Sequence, residues 1–384
     1  MELGAIGSTY NGLTGKSRDD FGEGKPYIQY KQIFDDSKID VTRFEYVRID
    51  TKEKQNRVLF GDVFFTVSSE TPNEIGTASV LLDNVDELYL NSFCFGYRSS
   101  HQILSPWFAR YLFRSELFRN EIVKLAQGST RYNMSKAALM KLIVGLPTLP
   151  EQQKIASFFT AIDQKISQLK RKETLLEQYK KGVMQKIFSQ QIKFKSDSGR
   201  EFPKWEKLHG NEIFETVSNK NHNSDLPILA ITQEQGAVPR DMIDYYITVS
   251  EQSIESYKVV EKGDFIISLR SFQGGIEYSE YKGICSPAYI ILRAIQNIDS
   301  RYFKYYFKTT NYISELNRKL EGIRDGKMIS FKYFSDIVIN VPSLPEQTKI
   351  ANFLSAIDDK INHTQKQIDK AEVWKKGLMQ QMFV

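Results

Sequence analysis

Two glycine-rich stretches near the start of the chain are the first candidates for chemistry. GLTGKS (residues 12–17) has the ending of a phosphate loop, in which backbone N–H groups cradle phosphate and a lysine reaches it. The full GxxxxGK[ST] pattern needs glycine at position 10, where this chain has Tyr10, and no aliphatic strand precedes it. Lys16 and Arg18 are therefore read as a basic loop. FGEGKP (residues 21–26) offers two close glycines but no third, and no βαβ context for a dinucleotide follows. His101, His209, His222 and His363 are scattered without ligand spacing. Cys94 and Cys285 sit in apolar runs, the setting of inert buried thiols. Asp19–Asp20 and Asp35–Asp36 are adjacent pairs in polar loops and read as turn residues. The Asn/Asp-Pro-Pro-aromatic tetrapeptide that holds a flipped adenine in amino-methyltransferases is absent. No catalytic or metal-binding constellation emerges, so a stand-alone nuclease or methyltransferase has no motif behind it.

What the chain does carry is a duplication. LPEQQKIASFFTAIDQKI begins at Leu149 and LPEQTKIANFLSAIDDKI at Leu344; they run on to YKKGVMQKIF from Tyr179 and WKKGLMQQMF from Trp374. Pro150 matches Pro345, and every other pair keeps that 195-residue spacing. Each copy reads as one long helix. Pro150 and Pro345 suit the first turn, and Glu151 and Glu346 complement the positive end of the dipole. Apolar residues recur at steps of four and three: Ile155, Phe159, Ile162, Ile166, Leu169, Leu176 and Val183, then Ile350, Leu354, Ile357, Ile361, Ile368, Ala371 and Leu378. That is a coiled-coil seam interrupted by Glu173, Lys180, Thr364 and Lys375. Such a stripe alone also fits one face of a core helix. A helix of about forty residues, at about 1.5 Å per residue, is too long for most small cores, so the two copies are expected to pair with each other.

The 384 residues allow two or three domains, and 41% hydrophobic with 26% charged residues is ordinary globular composition. A formal charge of +5 permits a nucleic-acid partner without demanding one. The 25 Phe and 20 Tyr favour β-structure and stacking surfaces. Two cysteines cannot build a disulfide framework, MELGAIGSTYNG lacks a signal-peptide pattern, and no window reaches membrane-span length. The expectation is a cytoplasmic protein without membrane contact. Residues 1–147 form a first variable region of short strands (PYIQYKQI, VLFGDVFFTV, ASVLL, LYLNSFCFGY) and a helix over residues 105–126, Ser105 at its N-cap and Pro106 at N1. Residues 148–188 are the first repeat helix and 189–205 a polar linker. Residues 206–342 repeat the plan: GDFIISLRS from Gly263 replaces GDVFFTVSS from Gly61. EGIRDGKMISFKYFSDIVINVP likewise mirrors GSTRYNMSKAALMKLIVGLP. Residues 343–384 are the second helix. FPKWEKL leads into the second region, whereas the first starts at MELGAI as though a short lead-in were missing. The fold class is α+β: two pseudo-symmetric mixed α/β domains separated by two long helices forming an antiparallel coiled coil.

Two heads held at a fixed separation can read two half-sites on a duplex. The order of variable region, LPEQ-x-KI-x-x-F-x-x-x-D-x-KI helix, variable region and second helix resembles the specificity (S) subunit of Type I restriction–modification enzymes. The resemblance covers essentially the whole chain; its most specific parts are the two LPEQ helices, their KKG-x-MQ ends and FPKWEKL. It implies two target recognition domains, each reading half of an asymmetric, interrupted site on double-stranded DNA. It also implies spacer helices that dock two adenine methyltransferase subunits. Those would carry S-adenosylmethionine, two further motor–nuclease subunits ATP and magnesium, and this chain no cofactor and no catalytic role.

Base-reading residues are then expected in the polar loops that differ between the heads. In the first these are Lys16, Arg18, Gln29, Lys31, Gln32, Ser68, Ser69, Thr71, Arg131, Tyr132 and Asn133. In the second they are Gln233, Gln235, Arg240, Arg270, Ser271, Gln273, Arg324 and Lys327. Arg131 and Arg270 lead, and any single Lys or Arg among them reads equally well as a solvated surface charge. For the subunit interface the outward helix faces offer Gln152, Lys154, Lys165, Lys180 and Lys181. Their identical counterparts are Gln347, Lys349, Lys360, Lys375 and Lys376. The competing reading is a non-catalytic coiled-coil scaffold without sequence-specific DNA binding.

Overall fold

The structure, a computed structural model, describes all residues except 129, 223–224, 244–253, 270, 319–328 and 384. The chain divides into two compact units, Met1–Lys170 with Gln365–Val384, and Arg171–Thr364. Each unit thus joins one head to the first part of one long helix and the last part of the other.

The first head is built on an antiparallel sheet in the order Gly7–Asn11, Cys94–Ser99, Val63–Thr66, Ala78–Val80. The second repeats that order with Phe214–Val217, Ile290–Ala294, Phe265–Ile267 and Glu277–Tyr278. VFFT and FII are buried on both faces, which is why they read as continuous apolar runs rather than alternating ones. Aromatic rings fill the space beside each sheet. Phe65 packs on Phe95 and Phe113 at 5.6 and 5.3 Å, and Phe214 on Phe265 and Phe303 at 5.4 and 5.2 Å. Such offset and edge-on ring pairs contribute beyond the area they bury.

Two local expectations change. PYIQYKQI is not one strand: the strand Phe21–Ile28 stops and Tyr30–Asp35 turns helical, because a short apolar run does not fix its own period. The helix over residues 105–126 is two, Pro106–Leu112 and Glu116–Val123, with Ser115 Oγ accepting from the Phe118 N–H to start the second.

The long helices are Leu149–Phe188 and Leu344–Met382. In the first unit Ala156, Phe159, Ile162 and Ile166 join Ala371, Leu378, Met379 and Phe383 in one core. In the second, Val183 and Ile187 meet Ile350, Ala351, Leu354 and Ile357. Early residues of one helix meet late residues of the other, so the pairing within each unit is antiparallel. Three of the seam's four interruptions have partners: buried Thr364 donates its hydroxyl to Lys360 O at 2.8 Å, and Lys180 and Lys375 form ion pairs. Residues 189–205 are no free linker. They lie along the second unit, with Phe194 against Phe353 of the second long helix and Trp205 against Tyr302 of the head helix Ser300–Tyr306. No helix among the described residues is long and apolar enough to cross a membrane.

Candidate DNA-reading loops and the clasps that hold them

Each head is fastened to the helix pair by the same clasp. In the first unit Tyr111 donates its hydroxyl to Asp163 Oδ2 at 2.8 Å and lies 3.2 Å from Thr160 Oγ1. Lys375 reaches Asp163 Oδ1 at 2.5 Å. In the second, Tyr305 donates to Asp358 Oδ2 at 2.7 Å, lies 3.2 Å from Ser355 Oγ, and Lys180 reaches Asp358 Oδ1 at 2.5 Å. Each lysine also sits over its tyrosine ring, at 5.6 and 5.2 Å. Burial pushes both phenols up, so each remains an O–H donor. Eleven residues before the clasp aspartate on each long helix, a buried glutamine closes the helix start. Gln152 accepts from the Ser105 N–H and donates to the Ile103 and Pro147 carbonyls; Gln347 accepts from the Asp299 N–H and donates to the Pro342 carbonyl.

Inside each head a second matched device holds the strand ends. Gly61 and Gly263, at φ +86° and +98°, turn the chain into a buried aspartate. Asp62 takes Arg98 in a two-pronged pair at 2.8 and 2.6 Å, and Asp264 takes Arg293 at the same distances. Both guanidiniums are held above their usual range by those hydrogen bonds.

The loops on this frame differ. In the first head Ser68–Ser69 pairs with Tyr132–Asn133, and Tyr30 donates its hydroxyl to Ser68 O at 2.9 Å. Burial raises the Tyr30 phenol, and the nearby Arg131 charge opposes that rise. Gln29, Tyr30, Ser68, Thr71, Arg131, Tyr132 and Asn133 are thereby gathered into one polar group, with Thr71, Arg131 and Asn133 exposed. Arg114 supports this side of the head, donating to Ala78 O at 2.6 Å, Ile33 O at 2.7 Å, Phe34 O at 3.1 Å and Asp36 O at 2.8 Å. Its burial lowers the guanidinium to about 10.

In the second head a hairpin, Leu229–Thr232 with Gly236–Pro239, presents Gln233 and Gln235 at its tip. Lys308 donates to Gln233 O at 3.3 Å, to Gly274 O at 2.9 Å and to Glu277 Oε1 at 2.6 Å. That single ammonium joins the hairpin tip to the short helix Ser271–Gly274, which carries exposed Gln273. Burial lowers Lys308 and raises Glu277.

Several expected readers have other duties. Gln32 is 2% exposed and donates to Asp40 O and Arg43 O. Ser69 is buried, its hydroxyl given to Glu74 Oε2 at 2.6 Å, and Ser271 Oγ accepts from the Ser268 N–H. The Lys16 side chain is only 6% exposed and paired with Glu53. Arg18 and Lys31 are exposed and Arg240 is half-buried; Arg270, Arg324 and Lys327 lie outside the described residues. Gln152 and Gln347 are buried rather than outward, Lys180 and Lys375 belong to the clasps, and Lys349 binds Asp197 and the Lys195 carbonyl. Lys154, Lys165, Lys181, Lys360 and Lys376 are exposed. Arg114, Lys308 and the Asp–Arg pairs escaped the sequence reading, although the GD dipeptides at Gly61 and Gly263 and the repeat spacing mark some of them.

Among the described residues no group of three or more His, Cys, Asp or Glu is placed to hold a metal ion. Both thiols are buried, and burial pushes Cys285 up to about 12 and Cys94 higher.

The comparisons with known proteins agree with this geometry. The type I restriction modification DNA specificity domain family matches twice, over residues 2–178 and 204–373. The type I restriction enzyme MjaX specificity subunit of Methanocaldococcus jannaschii is 27% identical, over 96% of this chain and 88% of its own length. The MjaVIII specificity subunit of the same organism is 25% identical over 70% of this chain and 68% of its own. The crystal structure of the S subunit of a type I restriction–modification system from M. genitalium superposes with a TM-score of 0.58 at 16% identity, covering 100% of this chain and 95% of that one. The chain belongs to the type I restriction enzyme specificity subunits, a family that is not itself catalytic and acts with DNA and with the other subunits of the complex.

Proposed function

We propose that this chain selects an asymmetric, interrupted site on double-stranded DNA, one half read by residues 1–147 and the other by residues 206–342. Residues 148–188 and 343–384 set the interval between the halves, and 189–205 joins them. One observation supports the reading: the two units keep the same sheet order, Asp–Arg pair and clasp, yet offer different exposed polar groups. In the first head the readers are Gln29, Thr71, Arg131, Tyr132 and Asn133, with Ser68 beneath them and Arg18 and Lys31 on flanking phosphates. In the second they are Gln233, Gln235 and Gln273, with Arg240, Arg270, Arg324 and Lys327 completing the set. Arginine pairs with guanine N7 and O6, and Asn or Gln with adenine N6 and N7, so the two heads favour different bases.

The exposed Lys154, Lys165, Lys181, Lys360 and Lys376 present matched charge to two identical methyltransferase subunits. Those would carry S-adenosylmethionine, and two restriction subunits ATP and magnesium, in the cytoplasm. The test is adenine-methylation mapping by single-molecule sequencing in cells with and without this chain, together with a matching methyltransferase subunit. A new asymmetric, interrupted motif methylated on both strands is expected. An assembled complex that methylates no new motif would leave only a scaffold.

A further inference from the structure

The first head enters its strand Cys94–Ser99 through the turn Asn91, Ser92, Phe93. The second head enters Ile290–Ala294 through Ser286, Pro287 and Ala288, at the 195-residue spacing of the repeat helices. The bonding is the same. Phe93 N–H donates to Asn91 Oδ1 at 2.8 Å and Cys94 N–H to Asn91 O at 3.2 Å. Ala288 N–H donates to Ser286 Oγ at 3.3 Å and Tyr289 N–H to Ser286 O at 3.1 Å. A turn that closes on alanine in one head has no structural need of a ring in the other. Yet Phe93 is 60% exposed and has no ring partner among the described residues. A single exposed apolar side chain is ordinary on a protein surface, so its place decides its meaning.

That place adjoins the polar group of the first head. Val67 N–H donates to Phe93 O at 3.3 Å, and Val67 leads directly into Ser68. Asn91 N–H donates to Ile28 O at 3.0 Å, and Ile28 leads directly into Gln29. The basic loop of residues 12–18 is tied to the same turn. Leu13 N–H donates to Leu90 O at 2.7 Å, and a Cβ on Gly12 would stand 2.1 Å from Asn91 O. The ring is therefore anchored to two segments that carry readers and to the loop that carries Arg18.

Given the function proposed above, in which Arg131 and Asn133 meet base edges in the major groove, we infer that Phe93 reads a thymine through its C5-methyl group. That methyl is the apolar feature of the major-groove edges, and a polar reader gains little from it. A bare aromatic ring takes it, because the contact removes apolar surface on both sides from water. Ala288 lacks the ring and does not reach as far, so the contact belongs to the first half-site alone.

The test is titration of the assembled complex, at fixed salt, onto its cognate duplex with single thymines replaced by deoxyuridine, which keeps every hydrogen-bonding group and lacks only the methyl. All thymines of both half-sites and their flanking base pairs are replaced in turn. At one position of the first half-site the replacement should weaken binding about fourfold, the worth of one buried methyl group. The Phe93→Ala complex should bind the thymine and uracil duplexes equally at that position, and Phe93→Leu should recover part of the discrimination. Replacements in the second half-site should act alike on all three complexes. Phe93 is mostly exposed and the matched turn already carries alanine, so the variants keep the fold. A first half-site without thymine, no position that senses the methyl, or a sensitivity that survives Phe93→Ala would each overturn the inference and leave the two-headed reading standing. A wild-type complex that distinguishes no sequence would overturn both.

Discussion

In the first head one guanidinium, Arg114, gathers four backbone carbonyls; in the second one ammonium, Lys308, gathers two carbonyls and a buried carboxylate. Each stands three residues after the clasp tyrosine of its own unit, Tyr111 or Tyr305. The hydrogen bonds and ion pairs of the two clasps, by contrast, agree to a tenth of an ångström. The duplication therefore kept how a head is attached and let drift how its loops are tied down. Attachment is constrained from both sides, because each clasp lysine comes from the end of the other repeat's helix. The loop ties, by contrast, take all their partners from within one head.

Breaking the loop ties should have the largest effect. Arg114→Met strands four carbonyls, and Lys308→Met leaves Glu277 buried without its cation. Each should destabilise its own unit by about 3–4 kcal/mol in chemical unfolding. Lys308→Arg should recover part of that loss; Arg114→Lys should recover less, since one ammonium cannot reach so many carbonyls. Next come the clasps. Asp163→Ala should cost about 2–3 kcal/mol. Asp358→Ala should cost less, because Asp163 also holds Arg110 at 2.9 Å whereas Lys304, at the matching place, turns to Glu280. Equal melting shifts for the two variants would contradict that asymmetry. Arg131→Ala should weaken binding of the assembled complex to its cognate duplex by about 1–2 kcal/mol and relax one half-site only, measured by titration at fixed salt. The smallest effect concerns the thiols: at neutral pH neither Cys94 nor Cys285 should react measurably with maleimide in the folded chain, because burial disfavours both thiolates.

The long helices and the shared plan of the heads were legible because both are written as period and spacing. The gathering of Ser68, Thr71, Arg131 and Tyr132 was partly legible, since polar loops at matched places in two heads point to one surface. What misled is instructive. Gln152 and Gln347 are identical between the repeats because each closes a buried helix start, and identity alone does not distinguish an outward face from a clamp. Lys180 and Lys375 interrupt an apolar seam because each completes a clasp. Gln32, Ser69 and Ser271 look like readers in the sequence, but the Gln32 amide nitrogen and the two serine hydroxyls are spent on neighbouring loop segments, and no periodicity announces such a bond.

The division of the chain also has a consequence in time. The second unit is one unbroken stretch, Arg171–Thr364, whereas the first waits for Gln365–Val384. Phe383 packs against Phe108 at 5.4 Å and Phe159 at 6.1 Å, and Lys375 completes the Asp163 clasp. A chain emerging from the ribosome can finish its second head while the first still exposes an open flank of aromatic rings. The head synthesised first is the head that closes last.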